Sequence, residues 1–144
     1  MKSKISRRLE EILTALPLKE GQRILEIGCG TGVLAREIAR RVNDVYVLGL
    51  DRSANAIKQS VSGSRAEISS GKLQFLKAAI EEFEFDDNNL FDFAFAIRVG
   101  ALDGRHPEIE EKALSNIAKA LKKNGKLFID GGSPLQEIDI RKYR

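Results

Sequence analysis

The sequence predicts an α/β fold in which a doubly wound, mostly parallel sheet carries helices on both faces. Three observations support this. Apolar runs of strand length alternate with stretches of helical periodicity between residues 23 and 130. A glycine cluster, Gly28, Gly30 and Gly32, separates the first run from the helix that follows. Asp51 stands at the carboxyl end of the second run, so strand, loop, helix and strand form one unit. With 144 residues, 42% apolar and 31% charged, the composition is that of a single domain. It divides into an N-terminal helical segment (1–19), a core (20–132) and a tail (133–144).

Each element has its own signal. Ile5, Leu9, Ile12, Leu13 and Leu16 recur at helical spacing and predict an amphipathic helix ending near Leu16, because Pro17 disfavours helical backbone in the residue before it. Residues 23–27 (RILEI) are short and β-prone; after the glycine loop a helical pattern runs through Val33, Leu34 and Ile38 to Val42. Residues 45–50 (VYVLGL) have the continuous apolarity of a buried strand, and Ser53 can cap a helix carrying Ala54, Ala56, Ile57 and Val61. Serines and glycines punctuate 62–64 and 69–71 before a third strand at 73–76. Asp86, Asp87, Asn88 and Asn89 form a turn cluster. A fourth strand at 91–97 (FDFAFAI) precedes a helix opened by Pro107, with Ile109, Ala113, Leu114, Ile117, Ala118 and Leu121 on its apolar face. Asn124-Gly125 is expected to stop this helix, with Lys122 and Lys123 favourable to its C-terminus. A fifth strand at 126–130 is closed by Gly131, Gly132, Ser133 and Pro134.

The net charge of +3 is unevenly spread. Seven basic residues sit at the two ends, whereas residues 9–140 carry 17 basic against 21 acidic side chains, a net charge of −4. Basic tips on an acidic body fit solvated termini better than nucleic-acid binding, for which no dedicated module is present. One cysteine allows no intrachain disulfide, and one histidine far from it forms no metal site. No apolar run approaches the ~18 residues of a membrane helix, and residues 1–12 lack a secretory core, so a cytoplasmic location without membrane contact is expected.

Doubly wound sheets bind ligands outside the carboxyl ends of their strands. This selects positions 26–32, 51, 78–81, 98–106 and 130–133. The glycines permit positive φ angles and close approach of a ligand to backbone amides. Asp51, 19 residues beyond Gly32, can accept hydrogen bonds from ribose hydroxyls. A blander reading makes the glycines a tight turn and Asp51 a helix cap. A dinucleotide fingerprint requires a small residue where Val33 stands, and Glu26, two residues ahead of Gly28, suits a cationic ligand rather than a pyrophosphate. A nucleotide-linked oxidoreductase is therefore disfavoured.

Glu26-Ile27-Gly28-Cys29-Gly30-Thr31-Gly32, with Asp51, resembles the class I S-adenosylmethionine-dependent methyltransferases over about residues 20–132, with 25–32 (LEIGCGTG) the most specific match. The resemblance implies a Rossmann-like domain, S-adenosylmethionine as cofactor and, from the nearest branch, a small-molecule methyl acceptor. It implies Glu26 near the methionine part, Gly28, Cys29, Gly30 and Gly32 beneath the cofactor, and Asp51 on the ribose. It further implies Arg52 and the pair Ala79 and Ile80 beside the adenine, Arg98 as a further cofactor contact, and 114–130 (LSNIAKALKKNGKLFID) as the closing helix and strand.

Departures from the family pattern are also visible. An acid that commonly contacts the adenine amino group falls at Ala79, which leaves backbone contacts and predicts weaker or less selective adenine binding. No N-P-P-Y or D-P-P-Y follows the fourth strand, which argues against amino-group methylation of bases or glutamine. Cys29 suits a packing role better than a nucleophilic one. The sheet reads as truncated after the fifth strand, where the family usually has seven. Residues 131–135 are too few for a parallel crossover but enough for a reversal, and Ile138 and Ile140 alternate with Glu137, Asp139 and Arg141. The tail is expected to cover the edge of the fifth strand as an antiparallel strand or through a homodimer.

Methyl transfer from a sulfonium mainly needs orientation and desolvation, so a missing catalytic triad is no objection. The segment 98–107 follows the fourth strand and holds the only histidine and two arginines. Arg98 and Arg105 are candidates to bind an anionic group of the acceptor, and His106 or Asp103 to take a proton. Against this, Asp103 and Arg105 can form a surface pair and His106 simply precede Pro107. The phenylalanines at 75, 83, 85, 91, 93 and 95 fit a core better than an aromatic cage. A second functional reading is a non-catalytic or partner-dependent cofactor-binding module.

Overall fold

In the computed structural model, which describes residues 5–85, 88–102, 104 and 106–144, helix α1 (Arg7–Ala15) begins where the Ser6 hydroxyl accepts the Leu9 amide at 3.2 Å. Strand β1 (Arg23–Ile27), helix α2 (Val33–Arg41) and strand β2 (Tyr46–Asp51) form the first βαβ unit. Ser53 caps helix α3 (Ala54–Gly63) by accepting the Ala56 amide, as expected. A short helix α4 (Arg65–Ser69) leads to strand β3 (Leu73–Lys77) and a 3₁₀ turn at Ile80–Glu82. Strand β4 (Phe91–Ala96), helix α5 (Pro107–Ala120), strand β5 (Leu121–Asp130), strand β6 (Leu135–Ile138) and a last 3₁₀ turn at Arg141–Tyr143 complete the described chain. Of the expected turn cluster, Asp86 and Asp87 lie outside the described residues.

The sheet has six strands in the order β3-β2-β1-β4-β5-β6, parallel except for β6. Strand order reverses between β1 and β4, which opens a crevice at their carboxyl ends, just beyond the paired residues Ile27 and Ala96. Cores lie on both faces, because successive side chains of a strand point to opposite sides. Ile24, Val47, Phe93 and Phe95 pack with α1 and α2, and Leu25, Leu50, Ala94 and Leu127 pack with α5. Phe91, Phe93 and Phe95 are 0 to 2% exposed, so the phenylalanines of β4 build the core. Among the described residues, no helix is long and apolar enough to cross a membrane.

Three expectations about elements are corrected. Helix α5 ends at Ala120 rather than near Asn124, so Lys122 and Lys123 belong to β5. The pairing jumps from Phe91 opposite Leu121 to Phe93 opposite Lys126, and the Asn124-Gly125 turn signal is spent inside this bulge. Lys122 there pairs with Asp92 at 2.8 Å. On α3, Val61 is 41% exposed, while Ser60 and Ser64 are fully buried; the inward face is set by these two serines, which a reading by hydropathy passes over. Finally, the sheet does not stop at the fifth strand. β6 runs antiparallel along β5, Leu127 opposite Ile138, as one of the two arrangements expected for the tail. Ile140 is 3% exposed in the α5-side core.

Candidate functional site

The glycine loop leaves β1 with Gly28, Gly30 and Gly32 all at positive φ, 71°, 57° and 83°. A Cβ on Gly32 would stand 2.8 Å from Phe75 Cζ and 3.0 Å from Ser60 Oγ, so Gly32 is where loop, sheet and α3 close on one another. Three hydrogen bonds fasten the loop. The Cys29 amide donates to the Leu50 carbonyl at 2.8 Å, the Gly30 amide to Asp51 Oδ2 at 2.9 Å, and the Ser60 hydroxyl to the Gly30 carbonyl at 2.8 Å. Ser60 braces the loop from α3, and Ser64, just beyond that helix, accepts from Arg36 of α2 at 2.9 Å; no signal in the sequence set them apart from surface serines.

Glu26 is 3% exposed, and its Oε1 has no hydrogen-bond partner among the described residues. Burial pushes the carboxyl up to about 8, against the Ala35 amide, which donates to it from the first turn of α2; the nearby Asp51 charge adds to the rise. A buried acid left unsatisfied is costly unless something completes it. Cys29 is 7% exposed in the core under α2. Burial first, then the charges of Glu26 and Asp51, pushes its thiol up to about 12, which suits packing and not attack. Its side chain is turned into the core, so Cys29 can meet a ligand only through its backbone.

A cleft of about 280 Å³ opens at the carboxyl ends of the strands, lined by Ile27, Gly28, Asp51, Arg52, Ala78, Ala79, Ile80 and Glu81. Arg98, Val99, Gly100, Ala101, His106 and Ile109 line the rest. Asp51, Arg52, Ala79, Ile80, Arg98 and His106 thus converge on one cleft. Asp51 already accepts the amides of Gly30 and Ser53, each at 2.9 Å, and its oxygens retain lone pairs for further donors. Arg52 lies 3.8 Å from Glu81, an exposed guanidinium beside a mostly covered carboxylate. Ile109 was assigned to the core alone; being in the first turn of α5, it also faces the cleft.

Arg98 follows β4 in a left-handed conformation, φ 58°, and its amide donates to Asp130 Oδ1 at 3.0 Å. The other oxygen of Asp130 accepts Arg8 of α1, also at 3.0 Å. Arg98 lines both the cleft and a neighbouring cavity of about 440 Å³ formed with Leu102, Ile129, Asp130, Gly131, Gln136 and Ile138. His106 is the N-cap residue of α5, with Nδ1 3.5 Å from Glu108. Asp103 and Arg105, the remaining candidates, lie outside the described residues.

A doubly wound sheet whose switch-point crevice holds a glycine loop and an acid at the end of β2 defines a nucleoside-cofactor domain. Residues 24–125 match the family described as a methyltransferase domain, and the chain belongs to it. It is 33% identical over 143 residues to an O-methyltransferase of Aspergillus nomiae, spanning 96% of this chain and 60% of that protein. The crystal structure of the cyclase SpnF matches with a TM-score of 0.71 and 27% identity, over 85% of this chain and 43% of that one. Phosphoethanolamine N-methyltransferase 2 of Haemonchus contortus, in complex with S-adenosyl-L-methionine, matches with a TM-score of 0.68 and 30% identity over 85% of this chain and 27% of that one. The chain thus spans less than two thirds of the length of each of these proteins.

Proposed function

We propose that this chain binds S-adenosylmethionine and transfers its methyl group to a small-molecule acceptor, in the cytoplasm. The observation that carries the reading is Glu26, a buried carboxyl group with an unpartnered Oε1 among the described residues, one residue before the cleft-lining Ile27 and Gly28; a cationic group of a ligand would complete it. Gly28 lines the cleft without a side chain, the backbone of Cys29, Gly30 and Gly32 continues the loop beneath the cofactor, Asp51 offers acceptors to ribose hydroxyls, and Arg52, Ala79 and Ile80 form the adenine side. When bound, the cofactor supplies a sulfonium methyl group for an in-line displacement. The protein's own part is orientation and exclusion of water. Arg98 borders both cavities and is suited to holding an acceptor in the one beside Ile129 and Ile138. His106 is the base that the described cleft offers, with Asp103 and Arg105 proposed alongside from the sequence. The O-methyl transfer named for the Aspergillus relative and the cofactor in the Haemonchus complex support the same reading.

Calorimetric titration with S-adenosylmethionine, S-adenosylhomocysteine and NAD tests it. Dissociation constants of about 1–100 μM for both adenosyl sulfur compounds, none for NAD, and a loss of about a hundredfold in Asp51→Ala are expected, since that variant removes acceptors for charge-assisted hydrogen bonds. Binding of NAD alone, or of no adenosyl compound, overturns the reading.

A further inference from the structure

We infer that Glu81 reads the adenine amino group of the cofactor, a task that the resemblance would give to an acid at position 79, where this chain has Ala79. The inference rests on the cofactor reading above. An exocyclic amino group needs an acceptor, and two backbone carbonyls at this end of the cleft are already engaged. The Ala79 carbonyl accepts the Glu82 amide at 3.0 Å, while the Ile80 carbonyl accepts both the Asn116 side-chain amide at 2.9 Å and the Phe83 amide at 3.3 Å. The side chains of Ala78, Ala79 and Ile80 have no polar atoms, and Arg52 only donates. Among the described residues lining the cleft, the carboxylates are Asp51 and Glu81, and Asp51 already holds two backbone amides beside the ribose position.

Glu81 is also free to turn. The 3₁₀ turn Ile80–Glu82 that carries it is anchored from α5 through Asn116, which is 8% exposed, so the turn itself is fixed. Its carboxylate, among the described residues, pairs with Arg52 at a long 3.8 Å, and because the Arg52 side chain is 73% exposed the contact costs little to open. Arg52 then covers the base while Glu81 accepts its amino hydrogen. The expectation of unselective adenine binding, drawn from Ala79 alone, is replaced by selectivity two residues further on.

The experiment compares calorimetric affinities for S-adenosylhomocysteine and S-inosylhomocysteine, whose 6-oxo group accepts where the amino group donates. The unmodified protein should prefer the adenosyl compound by about tenfold or more, because the inosyl oxygen would face a carboxylate. Glu81→Ala should bring the ratio to about twofold or less. Glu81→Gln, which keeps the shape and presents both donor and acceptor, should also lose the preference, so the test survives poor folding of the alanine variant. A preference unchanged in Glu81→Ala or Glu81→Gln, or absent from the unmodified protein, overturns the role of Glu81 while leaving cofactor binding standing. Failure of the unmodified protein to bind either compound overturns the cofactor reading and this inference with it.

Discussion

At Glu26, burial holds the carboxyl at about 8 against an ordinary value of 4.5, so in the cofactor-free protein it is mostly protonated at neutral pH. A raised carboxyl favours folding most below the unfolded value, and that contribution falls as pH climbs from about 4.5 towards 8. Glu26→Gln should therefore raise the melting temperature of the free protein, and more at about pH 9 than at about pH 5, as differential scanning calorimetry would show. An equal gain at both pH values would contradict the buried neutral acid. Binding an ammonium group, which S-adenosylhomocysteine carries on its amino-acid part although its sulfur is a neutral thioether, has the opposite sign, because it favours the ionised form. Affinity for S-adenosylhomocysteine should increase between about pH 6 and pH 8 with release of a proton, readable from titrations in buffers of different ionisation enthalpy, and Glu26→Gln should flatten the rise. His106 makes a separate prediction: His106→Ala should lower kcat by about tenfold or more while cofactor affinity stays within about twofold. Unchanged turnover would remove it as the base. The place of Asp51 at the end of the second strand and the packing of Cys29 were legible from spacing and chemistry, whereas the buried Ser60 was not, because a serine on a helix looks alike whether it faces water or the core.

Among the elements, α2 shows how charge fastens helices that hydrophobic spacing only places. Glu37, 3% exposed, accepts Arg40 at 3.3 Å and Arg41 at 3.1 Å, and these arginines reach Glu67 of α4 at 2.9 Å and Glu10 of α1. The arginines are about two-fifths exposed, so each contact is screened, but the carboxylate between them is not. Removing both arginines strands a buried charge; removing the charge itself leaves two guanidiniums able to reach water. Arg40→Ala with Arg41→Ala should cost about 2–3 kcal/mol, and Glu37→Gln about 1 kcal/mol, in urea unfolding midpoints. Equal costs would show the network to be a surface feature. The positions of β1 to β4 were legible to within about a residue, β2 from its continuous apolar run and the others from short β-prone segments. The α5–β5 junction was not, because Leu121 fits the helical stripe equally well, and only its pairing with Phe91 decides in favour of strand.

For the whole molecule, the parallel order β3-β2-β1-β4-β5 follows from alternating elements, but the sixth strand depends on a contact distant in sequence. Its four residues pair with β5 on one side only. Amide exchange should therefore be slow for those β6 groups that donate to β5 and fast for those on the outer edge; uniformly fast exchange across 135–138 would place the tail off the sheet. The likeness to SpnF, a cyclase, shows that this architecture also serves a reaction other than methyl transfer, so the chemistry must be argued from Glu26, Asp51 and the β4 loop rather than from the sheet.

The carboxylate of Asp130 holds the first helix with one oxygen and the backbone of Arg98 with the other. The N-terminal segment is thereby tied to the wall between the two cavities as well as packed on the sheet. Force applied at the start of the chain, by a fused domain or a surface tether, would reach that wall through the end of β5, where Asp130 joins the two.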